Sequence, residues 1–450
     1  MDYTPDFAIS SQRVVTPEGE NPATILIKGE KILDVVSYQN IPEGCPAEDV
    51  GNDVVMPGLV DAHVHINEPG RTDWEGFETA TKAAASGGIT TLVDMPLNCI
   101  PVTTTVDALH QKISSTPNKL HVDCGFYGGL IPDNINEIEP LAEAGVLGFK
   151  TFMSHSGIHE FPKISEKDLE NALPLLAQQG IPLLAHAELE SCIQTEKDPH
   201  TYNGYLATRP KSWENNAIKL LIKLCREFQT PVHIVHLSSA DILPEIAQAR
   251  SEGLPLSAES CPHYLHLTAE NISDGDTRFK CAPPIREAEN RLKLWQGLQS
   301  GIIDFITSDH SPCTPELKKL SEGNFNHAWG GISSLQLNLS IIWTECRSRG
   351  FSRSHLSNWM SLAPAKFIGM DHQKGQISPG CDADLICWDP DASFIVKPSM
   401  INFKNKLTPY EDEKLFGVVK KTFLRGEKVY ENGKFLKAPF GKTLMRKNGN

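Results

Sequence analysis

The chain has 450 residues, 40% hydrophobic and 22% charged, the make-up of a globular protein too long for one small core. Its 56 acidic against 42 basic residues give a formal net charge of −14, which disfavours nonspecific binding to nucleic acid or an anionic membrane. No apolar run reaches the roughly 18 residues of a membrane span, and 11 scattered cysteines without CxxC spacing argue for free thiols in a reducing cytoplasm rather than a disulfide framework or thiolate zinc site.

The chain opens on MDYTPDFAIS, which is acidic and lacks the layout of a secretory signal; a cytoplasmic location is expected. Short β-branched runs follow, FAISSQRVV, ATILIKGEKILDVVS and DVVMPG, cut by Gly, Pro and Asn as strands are. From Leu59 to Gly369 the texture changes. Apolar runs such as GITTLVDMPL, VLGFKTFM, IPLLAHAE, PVHIVHLSS and IIDFITSDHSP alternate with segments of helical period, among them ISEKDLENALPLLAQQG and NNAIKLLIKLCREFQ. Repeated strand–helix alternation reads as parallel βα units. Its length suits an α/β fold of the (β/α)8 TIM-barrel type; a doubly wound sheet competes, but the first βα turn lacks the glycine fingerprint. Past residue 370 short strands return, with ENGK as a hairpin turn. The expected organisation is residues 1–56 and 371–450 joining in one small β-sandwich beside a barrel of residues 57–370, with the basic last residues loose.

Chemistry-bearing side chains gather at strand ends. His63 and His65 in LVDAHVH are two apart, so in a strand both imidazoles face one side and suit a single ion; taken alone, HxH fits a structural histidine pair as well. His186 ends IPLLAH, His236 ends PVHIVH and Asp309 ends IIDFITSD. The C-terminal strand ends are where a barrel builds its active site, and imidazole with carboxylate suits zinc and similar divalent ions. Lys150 closes the apolar run VLGFK, where an ammonium is costly to desolvate. Either an acid pairs with it, or it carries a modification that removes the positive charge.

The HVH pair with Lys150, His186, His236 and Asp309 resembles the amidohydrolase superfamily, in the binuclear group that opens cyclic amides: dihydroorotases, hydantoinases, dihydropyrimidinases and allantoinases. The resemblance covers nearly the whole chain. The segments HVHINEPGR, DMPLNCIPVTTT, GFKTFMSHSG, ESCPHYL, CAPPIRE, SDHSPC and AWGGI are most similar to the allantoinase family. That resemblance implies hydrolysis of allantoin to allantoate in purine catabolism, with hydantoinase, dihydropyrimidinase or dihydroorotase-like activity as the alternative and a noncatalytic assembly protein as the remote one. It implies one metal on His63, His65 and Asp309 and a second on His186 and His236. Lys150, carbamylated by CO2 to N6-carboxylysine, and a hydroxide would bridge them, and Asp309 would shuttle the proton. Zinc is expected, with cobalt, manganese or iron compatible; a homotetramer is implied. His233, His263 and His310 are not ligands in the family's pattern, and alternation turns His233 and His310 away.

For substrate contacts, Asn67 stands where dihydroorotases carry an arginine, and an amide suits an uncharged group. Arg71 could reach an anion, or pair with Asp73 or Glu75. Asn98 is a substrate-facing amide or a turn former. Ser311, Trp329 and Gly330 are expected to contact the ring, with core packing an equal account of Trp329. The acidic surface offers no basic patch for nucleic acid.

Overall fold

The computed structural model describes residues 4–191 and 197–446. Eight strands run parallel in succession: Leu59–Val64, Ile89–Asp94, Asp123–Phe126, Phe149–Phe152, Leu183–His186, Val232–Ile234, Leu256–Ser260 and Phe305–Ile306. The third meets the fourth through Leu147 N donating to Phe126 O at 2.9 Å and through Gly128–Gly129 pairing Phe149–Lys150. The last returns to the first: His310 bridges Val64 in parallel, and His65 N donates to His310 O at 2.8 Å. The pairing is therefore a ring. Every residue of Leu59–Val64 and Ile89–Asp94 is buried, as parallel strands covered on both faces must be.

The intervening helices carry their own start and stop signals. Glu166–Gln179 begins on a capping box of Ser165 and Asp168 and ends at Gly180, whose φ of 58° closes the helix in the left-handed region. Lys211–Phe228 turns Ala217, Ile218, Leu221, Leu224 and Cys225 inward at the i, i+3, i+4 spacing of an amphipathic helix. No helix among the described residues is long and apolar enough to cross a membrane.

The two chain ends combine in one nine-stranded sheet. Val54–Pro57 pairs parallel with Phe7–Thr16 and antiparallel with Leu385–Ile395, so it joins strands from the two ends of the chain without a break between sheets. Bulges at Ser11/Val14 and Cys387/Trp388 bend it. Strand alternation divides its faces: Val54, Met56, Ile386 and Trp388 pack into the main core, whereas Val55, Leu385 and Cys387 close a smaller one with Ile9, Ile25 and Phe423.

The end of the chain differs from the sequence expectation. Residues 447–450 lie outside the described residues, but Thr443–Leu444 pairs in parallel with Cys124–Gly125, and Arg446 donates to Gln179 O at 2.8 Å. Spare carbonyl and amide groups at the edge of Asp123–Phe126 hold what composition alone marks as loose. Nearby, the buried Lys374 ammonium lies 2.7 Å from Asp123, 2.7 Å from Asp384 and 3.0 Å from Asp382. These three carboxylates have the spacing of a cation site, and Lys374 is their cation; Arg425 completes the cluster on Asp123.

Candidate metal centre and active-site cavity

His63, His65, Lys150, His186, His236 and Asp309 all line one cavity of about 360 Å³. Lys150 and His186 lie on strands, alternating with Phe149 and Leu183, which pack into the main core. The strand register shifts between Asp61 and Val64, around His63. His236 and Asp309 lie beyond their strands, with φ of 42° and 43°. Non-glycine residues enter this left-handed region at a cost, and such strain gathers at functional sites. Here it turns the chain out of the strand direction as each side chain enters the cavity.

His63 Nε2 is 3.2 Å and His65 Nε2 3.4 Å from Asp309 Oδ1, and ligand atoms of the three residues lie within 4.8 Å of one another. His186 Nδ1 is 3.0 Å from His236 Nε2. The His236 ring centre is 5.6 Å from that of His63 and 4.7 Å from that of His186, so the two groups adjoin. Lys150 is fully buried, makes no ion pair among the described residues, and holds Nζ 4.2 Å from the Phe152 ring centre. Burial pulls its pKa down to about 7 against the attraction of Asp309 and Glu259.

Carboxylates behind the histidines set their orientation. Glu259 Oε1 accepts from His63 Nδ1 at 2.5 Å, which leaves His63 Nε2 for the cavity. Glu188 Oε2 lies 2.7 Å from His186 Nε2 and is gripped by Arg209. Fixing one ring nitrogen so that the other is presented is how metal-binding histidines are held. Burial lowers the His186 pKa to about 4 and takes that of His236 well below its usual range. Burial would raise Asp309, but His63, His65 and His236 hold its pKa well below the carboxylate range. Burial would lower His63 as well, but Asp309 and Glu259 raise its pKa, whereas burial lowers that of His65. The set is thus three imidazoles pushed towards the neutral form, one held by carboxylates, an ionised carboxylate and an amine near neutrality. His63 Nε2 is buried without a hydrogen-bond partner, a costly state that a divalent cation would relieve. These residues fit zinc-like ions.

The remaining predicted residues divide. Asn98 lines the cavity at φ 68°, with Nδ2 3.4 Å from His65 Nδ1. Ser311 lines it and donates to Asp309 Oδ1 at 2.9 Å. Trp329 and Gly330 line it too, the indole packed edge-on against Trp74 at 4.7 Å. Asn67 and Arg71 are not among the lining residues. Asn67 Nδ2 donates to Pro312 O at 3.3 Å. Arg71 donates to Asn98 O at 3.1 Å and pairs with Glu160 at 2.9 Å, not with Asp73 or Glu75; it braces the loop that carries Asn98.

Among the other histidines, His310 lies 3.3 Å from Glu75 and accepts from Ser334 N, away from the cavity. His233 is closer to the site than alternation suggested, because its Nε2 shares Glu259 with His63 at 3.1 Å. His263 is buried and does not line the cavity. Sequence reading missed Glu188, Arg209, Glu259 and Lys280. Two had a signal: Glu188 follows His186 by two residues, and Glu259 stands near the end of the strand Leu256–Ser260.

A ring of parallel strands with imidazoles, a carboxylate and a buried lysine converging on one cavity is the arrangement of a metal-dependent hydrolase. The amidohydrolase family model matches residues 54–429, and the chain belongs to that family. The allantoinase of Streptomyces avermitilis is 47% identical over 98% of this chain and 99% of its own length. That of Saccharomyces cerevisiae is 44% identical over 97% and 98%. Among solved structures, the L-hydantoinase (dihydropyrimidinase) of Arthrobacter aurescens matches with a TM-score of 0.92 at 33% identity, over 98% of this chain and all of that one.

Proposed function

We propose that this chain hydrolyses the ring amide of allantoin to give allantoate, working with two divalent metal ions. The observation that carries the reading is the convergence of His63, His65, Lys150, His186, His236 and Asp309 on one cavity, in a chain 47% identical to an allantoinase. In this reading the ring of parallel strands is a (β/α)8 barrel over residues 57–370, and residues 1–56 and 371–450 form the small β-domain beside it. His63, His65 and Asp309 hold one ion and His186 and His236 the other, with zinc the leading candidate and cobalt, manganese or iron compatible. Bound there, the ions polarise a carbonyl and lower the pKa of a water towards neutrality.

The chain's own groups do the rest. The neutral Lys150 amine adds CO2, its nitrogen bonding the carbon and releasing a proton, to become an anionic carbamate with two oxygens. Burial supplies the neutral amine this requires. An Asp309 carboxylate oxygen takes the proton of the attacking water and gives it to the departing ring nitrogen as the C–N bond breaks. Ser311, donating to Asp309 Oδ1, holds that carboxylate in place. Asn98, beside His65, offers an amide to the ring.

The test is allantoate formation by purified protein, with and without added divalent metal and bicarbonate. Turnover that needs the metal supports the reading; no turnover with any of the four metals refutes it. The likeness to hydantoinase structures favours hydantoin or dihydropyrimidine as the second reading, and the same panel separates them. Ten unpaired cysteines among the described residues suit the reducing cytoplasm, and a tetramer is read by light scattering.

A further inference from the structure

We propose that Lys280 is a specificity residue that donates a hydrogen bond to the ureido carbonyl of the substrate, the group that distinguishes allantoin from plain hydantoin. This rests on the reading of the chain as an allantoinase and extends it to the ring substituent. Lys280 lines the cavity. Its ammonium donates to Ala328 O at 2.5 Å and Asn326 O at 3.3 Å, and among the described residues it has no carboxylate partner. An ammonium has three donors, so one is left over.

Lys150 belongs to the metal-site group, and the other cations around the cavity are committed. Arg209 is paired with Glu188. Lys318 does not line the cavity and bonds the carbonyls of Lys280, Trp329 and Gly331. Apart from Lys150 in the metal-site group, Lys280 is the cation among the described residues that combines a place in the wall with spare donor capacity and no carboxylate partner.

Its setting is rigid. Lys280 O accepts from Gly331 N at 2.9 Å as well as from Lys318. The next carbonyl, Cys281 O, accepts from the buried Tyr205 hydroxyl at 2.6 Å, and Tyr264 ties Pro283 O at 2.6 Å. Holding a half-buried, uncompensated cation this firmly costs free energy. A fixed donor gains specificity only if a ligand acceptor meets it. The ureido oxygen is such an acceptor, and the ureido group is attached through nitrogen to the carbon next to the scissile ring carbonyl, at the edge of the ring rather than at the bond being cut.

The experiment measures kcat and KM of the metal-loaded wild type and of Lys280→Met and Lys280→Arg on allantoin and on hydantoin, with Tm as a fold check. Expected for Lys280→Met is a loss of about ten- to a hundredfold in kcat/KM on allantoin, the worth of one charged hydrogen bond. The hydantoin value should stay within about twofold of wild type, and Lys280→Arg should recover part of the loss. An equal loss on both substrates would put Lys280 on the ring or in a purely structural role, and no loss on allantoin would remove it from binding; either overturns the proposal. A wild type inert on allantoin but active on hydantoin would instead fail the functional reading itself, and is seen before any variant is compared.

Discussion

Glu259→Gln isolates the contribution of a residue that would never touch metal or substrate. Glu259 is fully buried and accepts from three donors: His63 Nδ1 at 2.5 Å, His233 Nε2 at 3.1 Å and His236 N at 3.3 Å. Burial opposes its ionisation, but His63 and His233 draw its pKa well below the carboxylate range. A glutamine fits the same space. With its oxygen towards His63, its NH2 faces His233 Nε2, which can accept if His233 donates from Nδ1 to Ser257 Oγ, now 2.7 Å away. No buried group is then orphaned at that end, and the fold should hold. What is lost is the charge behind His63. One charged hydrogen bond contributes about 1.5–3 kcal/mol, and loss of such a supporting partner typically weakens metal binding about 10–100-fold. Glu259→Ala should be worse, because His63 Nδ1 and His236 N would lose their acceptor at about 1–3 kcal/mol each. The assay is metal content by mass spectrometry across a graded chelator series, with Tm of the metal-free protein measured alongside. Metal affinity of Glu259→Gln within about twofold of wild type, with the metal-free Tm unchanged, would refute the claim that Glu259 tunes His63.

Asp309→Asn should cut allantoin turnover by about 10²–10⁴-fold, and single-turnover kinetics on protein of verified metal content checks it; a near-normal rate with metal bound removes Asp309 as the proton carrier. For Lys150, burial depresses the folded pKa to about 7. The amine is mostly charged below that pH and mostly neutral above it, so reactivation of stripped protein by bicarbonate and metal should speed up from pH 6 to pH 8 at fixed dissolved CO2. In the uncarbamylated chain the unfolded state holds the extra proton between about pH 7 and 10.4, so stability should rise with pH across that window; a Tm that falls there would contradict the depressed pKa. Lys374→Met removes the cation from the cluster of Asp123, Asp382 and Asp384. The expected cost is about 3–5 kcal/mol of stability with kcat on allantoin unchanged, read by denaturant unfolding and steady-state kinetics.

The strand ends that carry Lys150 and His186 were legible because alternation and apolar runs mark them. His236 and Asp309 were legible as residue types at the right end of an apolar run, but not as residues with positive φ. Asn67 and Arg71, which the sequence places at the substrate, do not line the cavity. Both follow HVH closely, yet the loop carries Asn67 to Pro312 O and Arg71 to Glu160 and Asn98 O. Those partners lie far off in sequence, and no local pattern predicts them. Glu259, Glu188 and Lys280 were missed because their importance comes from what they face.

By itself the sequence determined the alternation of strand and helix, the strand-rich regions towards both ends of the chain and the residue types able to bind metal, because periodicity and residue chemistry are local properties. Only the tertiary structure decided that Val54–Pro57 lies between Phe7–Thr16 and Leu385–Ile395. It alone decided that Glu259 stands behind His63 and that Lys280 stands in the cavity wall with no carboxylate partner among the described residues. Hydrogen bonds, desolvation and charge pairing depend on distances in space, and chain order fixes those distances only once the ring of strands has brought its ends together.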